Sequence, residues 1–432
     1  MECAIQLKHV TKTFGEVVAN KDVSLEIYKG EILALLGENG SGKTTLLNMI
    51  AGIYYPDGGE ILVNGKPAEI RSPKDAYDLG IGMIHQHFKL VDVFTATENI
   101  ALGLEKKEKF DLKEVRRRAQ EICDKYHFDM DFDQKVYGMS VSQKQTLEII
   151  KVLYRGADIL ILDEPTAVLT PQETEKLFEV IRNMKKDGKS VVIITHKLHE
   201  VMEISDRVSI LRKGEYVGTV DTKDATQVTL AEMMVGRPVT IERKARPVFE
   251  KKEPVLVMKD VNANDDRGIQ ALKNFNLTVH SGEIVGVAGV DGNGQRELAE
   301  CIVGLRKPTS GTVTIKDKLV TKVIADPSFV GFIPEDRQKT GLVMDFSIAD
   351  NMIIKDYTNE PFAKNGVLNY KNIKSSARKL IKKYNVKTPN EDVRVRNLSG
   401  GNQQKVVIAR ELDPEPVLDI AAHPTRGLDL GA

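Results

Sequence analysis

The chain has 432 residues, 41% apolar and 29% charged, which is ordinary for a globular protein and long enough for two or more domains with large cores. Lys plus Arg (62) equals Asp plus Glu (62), so the global basic excess that marks nucleic-acid binders is missing. The N-terminus MECAIQLKHVTKTF lacks a signal-peptide core, and no stretch approaches the ~20 apolar residues of a bilayer span. Three distant cysteines, Cys3, Cys123 and Cys301, suit a reducing compartment and small apolar packing.

The first informative element is the run Ile32-Leu33-Ala34-Leu35-Leu36 after Gly30-Glu31, which reads as a buried strand. Residues 37–45, GENGSGKTT, follow it and lead into Leu46-Leu47-Asn48-Met49-Ile50, a helix start. Gly37, Gly42, Lys43 and Thr44 satisfy G-x4-G-K-[ST]. Glycines let the backbone of Gly37, Glu38, Asn39, Gly40, Ser41, Gly42 and Thr45 curl around phosphate oxygens, and the helix N-terminus adds positive potential. Lys43 is expected to bridge the β- and γ-phosphates, and Thr44 to hold Mg²⁺ through its hydroxyl. The ligand so specified is ATP with Mg²⁺.

Further along, a helical subdomain is expected over residues 88–140. Asp111 and Glu114 form a D-x-x-E pair ahead of a face of Leu112, Val115, Ala119, Ile122 and Tyr126. The basic run Arg116-Arg117-Arg118 reads as a solvated face in preference to a phospholipid or partner contact. His85 and His87 flank Gln86, but no Cys or carboxylate nearby completes a metal set. A second strand, Ile159-Leu160-Ile161-Leu162, ends in Asp163-Glu164, and a third, Val191-Val192-Ile193-Ile194-Thr195, ends at His196. Strand ends beside a phosphate loop are where ligands bind in such sheets. Asp163 is expected to hold Mg²⁺, Glu164 to polarise the attacking water, and His196 to contact the γ-phosphate.

The pattern then repeats. Domain one is expected over residues 1–236, a basic linker with Arg243, Lys244, Arg246, Lys251 and Lys252 over 237–253, and domain two over 254–432. Gly289 follows Gly37 by 252 residues and opens GVDGNGQRE, after a second strand pattern, Ile284-Val285-Gly286-Val287-Ala288. Gln295 stands at the lysine position and Arg296 at the threonine position. A helix with Ile373, Ala377, Leu380, Ile381 and Tyr384 matches the one at Val115. Val417-Leu418-Asp419-Ile420 places a charge inside an expected buried strand, which is costly. The sequence stops at Ala432, before any counterpart of His196, so a C-terminally truncated second domain is expected.

With these residues in place, the chain resembles the ATPase subunits of ABC transporters. Gln86 matches their Q-loop, which touches Mg²⁺ and water, and Phe14 matches the aromatic that stacks on adenine. MSVSQ at 139–143 stands where LSGGQ is expected, and LSGGNQ at 398–403 fits that signature better. More narrowly, the chain is similar to double-cassette ATPases of ribose, galactose and nucleoside importers. It shares TAVLT at 166–170, MMVGR at 233–237, PEDR at 334–337 and PTRGLD at 424–429. Residues 85–103, HQHFKLVDVFTATENIALG, look most like the nucleoside branch.

The resemblance implies an α/β fold: two tandem ABC-type P-loop NTPase domains, each with a mixed α/β core and a helical subdomain. It implies one competent composite site, in which Phe14, Lys43, Thr44, Gln86, Asp163, Glu164 and His196 face Ser399, Gly400, Gly401 and Asp429. At the other site Asp266, Gln295, Arg296, Glu335, Ala422 and His423 face Ser142 and Thr170, and hydrolysis is not expected. His423 lacks an acid beside it and is read as non-catalytic. The implied partners are two transmembrane permease subunits and, indirectly, an extracellular solute-binding protein, with no nucleic acid. The chain is expected at the cytoplasmic face of the membrane, its cassettes pairing within one copy or between two. A sugar-importer ATPase, a ribosome-associated double-cassette ATPase and an inactive or regulatory fragment are the alternatives.

Overall fold

A computed structural model describes residues 2–85, 88–104, 111–167, 169–239, 253–289, 292–322, 326, 328–425 and 427–428. Gln86, His87, Asp429 and the linker's Arg243, Lys244, Arg246, Lys251 and Lys252 lie outside the described residues. The chain divides into two compact units, Met1–Glu242 and Arg243–Leu430.

In the first unit every residue of Ile32–Leu36 is buried. Parallel strands flank it on both sides, Ser190–Ile194 and Arg207–Arg212. Ile159–Asp163 and Ile81–Ile84 extend the sheet in parallel, and Glu215–Asp221 closes the other edge antiparallel, for six strands. Unbroken apolar runs form these strands because side chains on both faces are covered. Leu33 and Leu35 pack with Leu46 and Leu47 on one face, while Ile32 and Leu160 pack with Phe178 and Ile181 on the other. A separate antiparallel sheet of Val17–Tyr28, Cys3–Phe14, Gly58–Val63 and Lys66–Pro67 adds Ile5, Leu7 and Ile27 to the first of these clusters.

Ala96–Ala101, Leu112–Tyr126 and Val141–Tyr154 make a helical layer around Ile100, Ala119, Cys123 and Leu147. Asp111 caps its helix, accepting from the Lys113 N–H at 2.9 Å. Glu114 does not close a capping box, because its carboxylate is engaged by Arg117. Val115, Ala119, Cys123 and Tyr126 are buried; Leu112, in the first turn ahead of the packed stretch, is exposed. The basic run has partners within the unit. Arg116 meets Asp133, Arg117 meets Glu114 and Glu121, and Arg118 lies over the Tyr154 ring at 4.6 Å.

The second unit repeats the antiparallel sheet as Gln270–His280, Pro254–Asn264, Ser310–Ile315 and Lys318–Leu319. Its parallel sheet is reduced to Val330–Ile333 beside Leu418–Ala421. The helix Tyr370–Lys383 buries Ile373 and Ala377, with Leu380, Ile381 and Tyr384 partly buried in the same cluster.

Two expectations fail here. The strand expected at 284–288 is not formed, and its residues are exposed, Ile284 at 80%. Ile32–Leu36 is a strand because neighbours on both edges satisfy its N–H and C=O groups. Among the described residues of the second unit, no strand stands in for Ser190–Ile194 or Arg207–Arg212. Asp419 does not sit in a doubly buried strand either. Its residue is exposed, and among the described residues Leu418–Ala421 pairs on one edge only. Partial desolvation and the nearby Glu411 charge still raise its carboxyl pKa above the usual range.

Candidate nucleotide site

The first unit's site starts where Ile32–Leu36 ends. Register in the sheet places Leu35 beside Ile194, and Ile194 beside Asp163. The loop from Gly37, the acid pair and the turn at Thr195 and His196 therefore leave the sheet at one edge. The loop needs its glycines. Gly42 adopts φ 95°, and a Cβ there would lie 2.4 Å from the Ala19 carbonyl. A Cβ on Gly37 would lie 2.4 Å from the Leu211 carbonyl.

The helix Lys43–Ile50 begins with no side-chain cap and no acid in its first turn. Nothing on the helix itself opposes an incoming anion. Lys43 is buried and donates to the Gly37 and Glu38 carbonyls at 2.7 and 3.0 Å. Thr44 is exposed at the helix start, and Asp163 is buried at the strand end. The Ser41 hydroxyl is buried without a hydrogen-bond partner.

Glu164 has φ 48°, a left-handed conformation uncommon for a side chain of this size. The turn brings Glu164 Oε1 to 3.1 Å from His196 Nδ1. This bond holds the Glu164 pKa below the ordinary carboxylate value of 4.5, against desolvation and with help from Lys43 and Lys197. The same bond raises His196 above the ordinary 6.5. A carboxylate kept ionised at a phosphate loop is suited to orient water.

Phe14 is 43% exposed, and its ring meets Tyr54 edge-on with centroids 5.1 Å apart. Lys12 lies 5.6 Å over the Phe14 ring. Tyr54 was not picked out from the sequence, because an aromatic nine residues past a phosphate loop carries no spacing rule. Glu200 was missed as well. It is buried and accepts from Thr166 and Thr195 hydroxyls at 2.6 and 3.2 Å, with Lys197 Nζ at 2.9 Å. It therefore ties the turn after Asp163 to the turn that carries His196.

In the second unit, Ser399 caps Gly400–Leu412. Its hydroxyl accepts from the Asn402 side-chain amide at 3.0 Å. A Cβ on Gly400 would lie 2.5 Å from an Arg337 nitrogen, and one on Gly401 2.7 Å from the Gly427 carbonyl. Gly401 is thus required by close approach to backbone, while at Gly400 the Arg337 side chain would have to shift. The counterpart in the first unit has Ser140 as cap and an exposed Val141 in place of Gly400. Two described positions of the second unit share backbone conformations with their counterparts in the first. Gly294 has φ 95°, as Gly42 does, and His423 has φ 49° where Glu164 has 48°. Among the described residues, no group of His, Cys, Asp and Glu forms a metal cluster. Burial is the main cause that lowers the pKa of His85.

A sequence profile described as "ABC transporter" matches residues 20–167 and again 272–426. The chain belongs to the ABC transporter family. The two matched segments fall one in each of the two units described above. Relatives of this ABC chain include the nucleoside import ATP-binding protein NupA of Lactococcus lactis and the guanosine import ATP-binding protein NupO of Bacillus subtilis. Each is 48% identical, across 100% of this chain and 86% of the relative. The ribose import ATP-binding protein RbsA of Yersinia pestis is 38% identical over 99% of this chain and 84% of its own length. The resemblance to the double-cassette ribose, galactose and nucleoside class therefore holds. No helix among the described residues of this ABC chain is long and apolar enough to cross a membrane.

Proposed function

We propose that the chain is the ATP-hydrolysing subunit of an importer for nucleosides, with chemistry confined to the first cassette. The observation that carries this reading is the convergence at one sheet edge of Lys43 and Thr44, Asp163, and the Glu164–His196 pair at 3.1 Å. The loop amides and Lys43 take the phosphates, Phe14 and Tyr54 take the base, and Glu164 orients water. The donor set fits Mg²⁺, since the Thr44 hydroxyl and the Asp163 carboxylate are hard oxygen ligands. Bound there with the Gln86 amide, the ion supplies charge neutralisation at the phosphates.

Ser399, Gly400 and Gly401 serve as the signature that closes over this nucleotide, supplied by the same chain or by a second copy. The partners are two transmembrane permease subunits at the cytoplasmic face of the membrane, fed by an extracellular solute-binding protein. The nucleoside assignment rests on the 48% identity to NupA and NupO. Uptake of labelled nucleosides, ribose and galactose in cells lacking the chain, with and without its plasmid-borne copy, tests it. Loss of nucleoside uptake restored by the plasmid is expected. Loss confined to ribose or galactose moves the assignment to a sugar, and unchanged uptake of all three refutes the transport role.

A further inference from the structure

Four charged side chains of the second unit gather where the first unit has its aromatic pair. Asp266, Arg296, Glu300 and Arg306 each stand 252 residues after Phe14, Thr44, Asn48 and Tyr54. The backbone supports this correspondence. The Tyr54 N–H donates to the Asn48 carbonyl at 3.1 Å, and the Arg306 N–H donates to the Glu300 carbonyl at 3.1 Å. Where Phe14 meets Tyr54 ring to ring, Arg306 donates to Asp266 Oδ1 at 2.6 Å.

The network is closed on itself. Arg306 also reaches Glu300 Oε2 at 2.8 Å through Nε and the Asn264 carbonyl at 2.7 Å through Nη1. Arg296 bridges Asp266 Oδ2 at 3.2 Å and Glu300 Oε1 at 2.7 Å. An arginine can serve as a stacking platform for a purine. Arg306 cannot do so here. Its side chain is 16% exposed, so little of the guanidinium face is open to a base, and its in-plane N–H groups are fixed on Asp266, Glu300 and the Asn264 carbonyl. Laying a purine over Asp266 would strip water from an ion and return no π contact. Arg296 itself is turned towards these acids.

We propose that Asp266, Arg296, Glu300 and Arg306 fill the base position of the second phosphate loop, so that the chain takes a purine nucleotide at the first loop alone. The proposal rests on the reading of the first loop as an ATP site and goes beyond it, since loss of hydrolysis at the second loop does not require loss of binding. The quartet sets nucleotide stoichiometry, and the backbone wound around Gly294 is left as a scaffold.

The test is equilibrium binding of a fluorescent ATP analogue to the full chain, with photolabelling by 8-azido-ATP and peptide mapping alongside. The wild-type chain is expected to bind one nucleotide, and all label should map to the first unit. Lys43→Ala should weaken that binding by about tenfold or more, with no label moving to the second unit. Two nucleotides per wild-type chain, or label on peptides near Asp266 or Gly294, overturns the proposal. No nucleotide on the wild-type chain refutes the ATP reading of the first loop, a distinguishable failure. The double change Asp266→Phe with Arg306→Tyr restores the aromatic pair. It is expected to add label on the second unit, and a folded variant that gains none counts against the quartet as the excluding element.

Discussion

Replacing Glu200 by alanine is expected to destabilise the first unit by removing the shared partner of two buried hydroxyls and a lysine. The carboxylate is 4% exposed and accepts from two hydroxyls, on Thr166 and Thr195, that are themselves 2% exposed. Lys197 Nζ lies 2.9 Å from its other oxygen. Removing one partner of a buried ion pair costs about 3–5 kcal/mol. Lys197 is 31% exposed and keeps a bond to the Thr166 carbonyl at 2.9 Å. The lower end of the range therefore applies, about 3 kcal/mol. For a unit of this size each kcal/mol moves the thermal midpoint by roughly 2–4 °C, so a fall of about 6–12 °C is expected. Calorimetry on Glu200→Ala and Glu200→Gln measures it, and the glutamine variant should lose less because one acceptor remains. A Glu200→Ala midpoint within about 2 °C of wild type would falsify the account of this network.

Turnover separates the two phosphate loops. Lys43→Ala and Glu164→Gln are each expected to lower ATPase rate by about a hundredfold or more, while Gln295→Ala leaves it near wild type. Equal losses from Lys43→Ala and Gln295→Ala refute the one-site reading. The Glu164–His196 bond has a pH window. The lowered Glu164 pKa contributes stability above its ordinary 4.5, lost as pH falls through the folded value. The raised His196 pKa contributes below its ordinary 6.5, lost as pH rises through the folded value. The stability difference between wild type and His196→Ala should be greatest between those limits and shrink as pH rises through the folded His196 value. A pH-independent difference in denaturant titrations counts against the pair. Gly401→Ala pushes a methyl to 2.7 Å from the Gly427 carbonyl. It should cost about 1–3 kcal/mol in the second unit, and unchanged unfolding of that unit would contradict the close approach.

The catalytic side of the first unit is legible because its signals are local. A glycine pattern specifies the loop, and three unbroken apolar runs each end in a residue with the right chemistry. What the sequence hides is pairwise. Tyr54 becomes part of the proposed base platform only because the fold brings it to Phe14. Glu200 is an ordinary helix glutamate until Thr166 and Thr195 surround it. The Asp266 network needs Arg306, 40 residues away, to be seen as a unit. The strand pattern at 284–288 was misread for the complementary reason. Apolarity records a preference for burial, and a strand also requires neighbours that a one-dimensional pattern does not carry.

That same segment has a consequence for handling the protein. Residues 284–288 hold no charge and no proline, and Ile284, Val285 and Val287 stand 80%, 38% and 52% exposed. A short, uncharged β-forming stretch with both backbone edges open is a template for strand addition by other polypeptides. Its stickiness should rise with protein concentration and fall when a lysine interrupts it. The expected association thus starts at the second loop's threshold, far in sequence from Lys43 and Glu164.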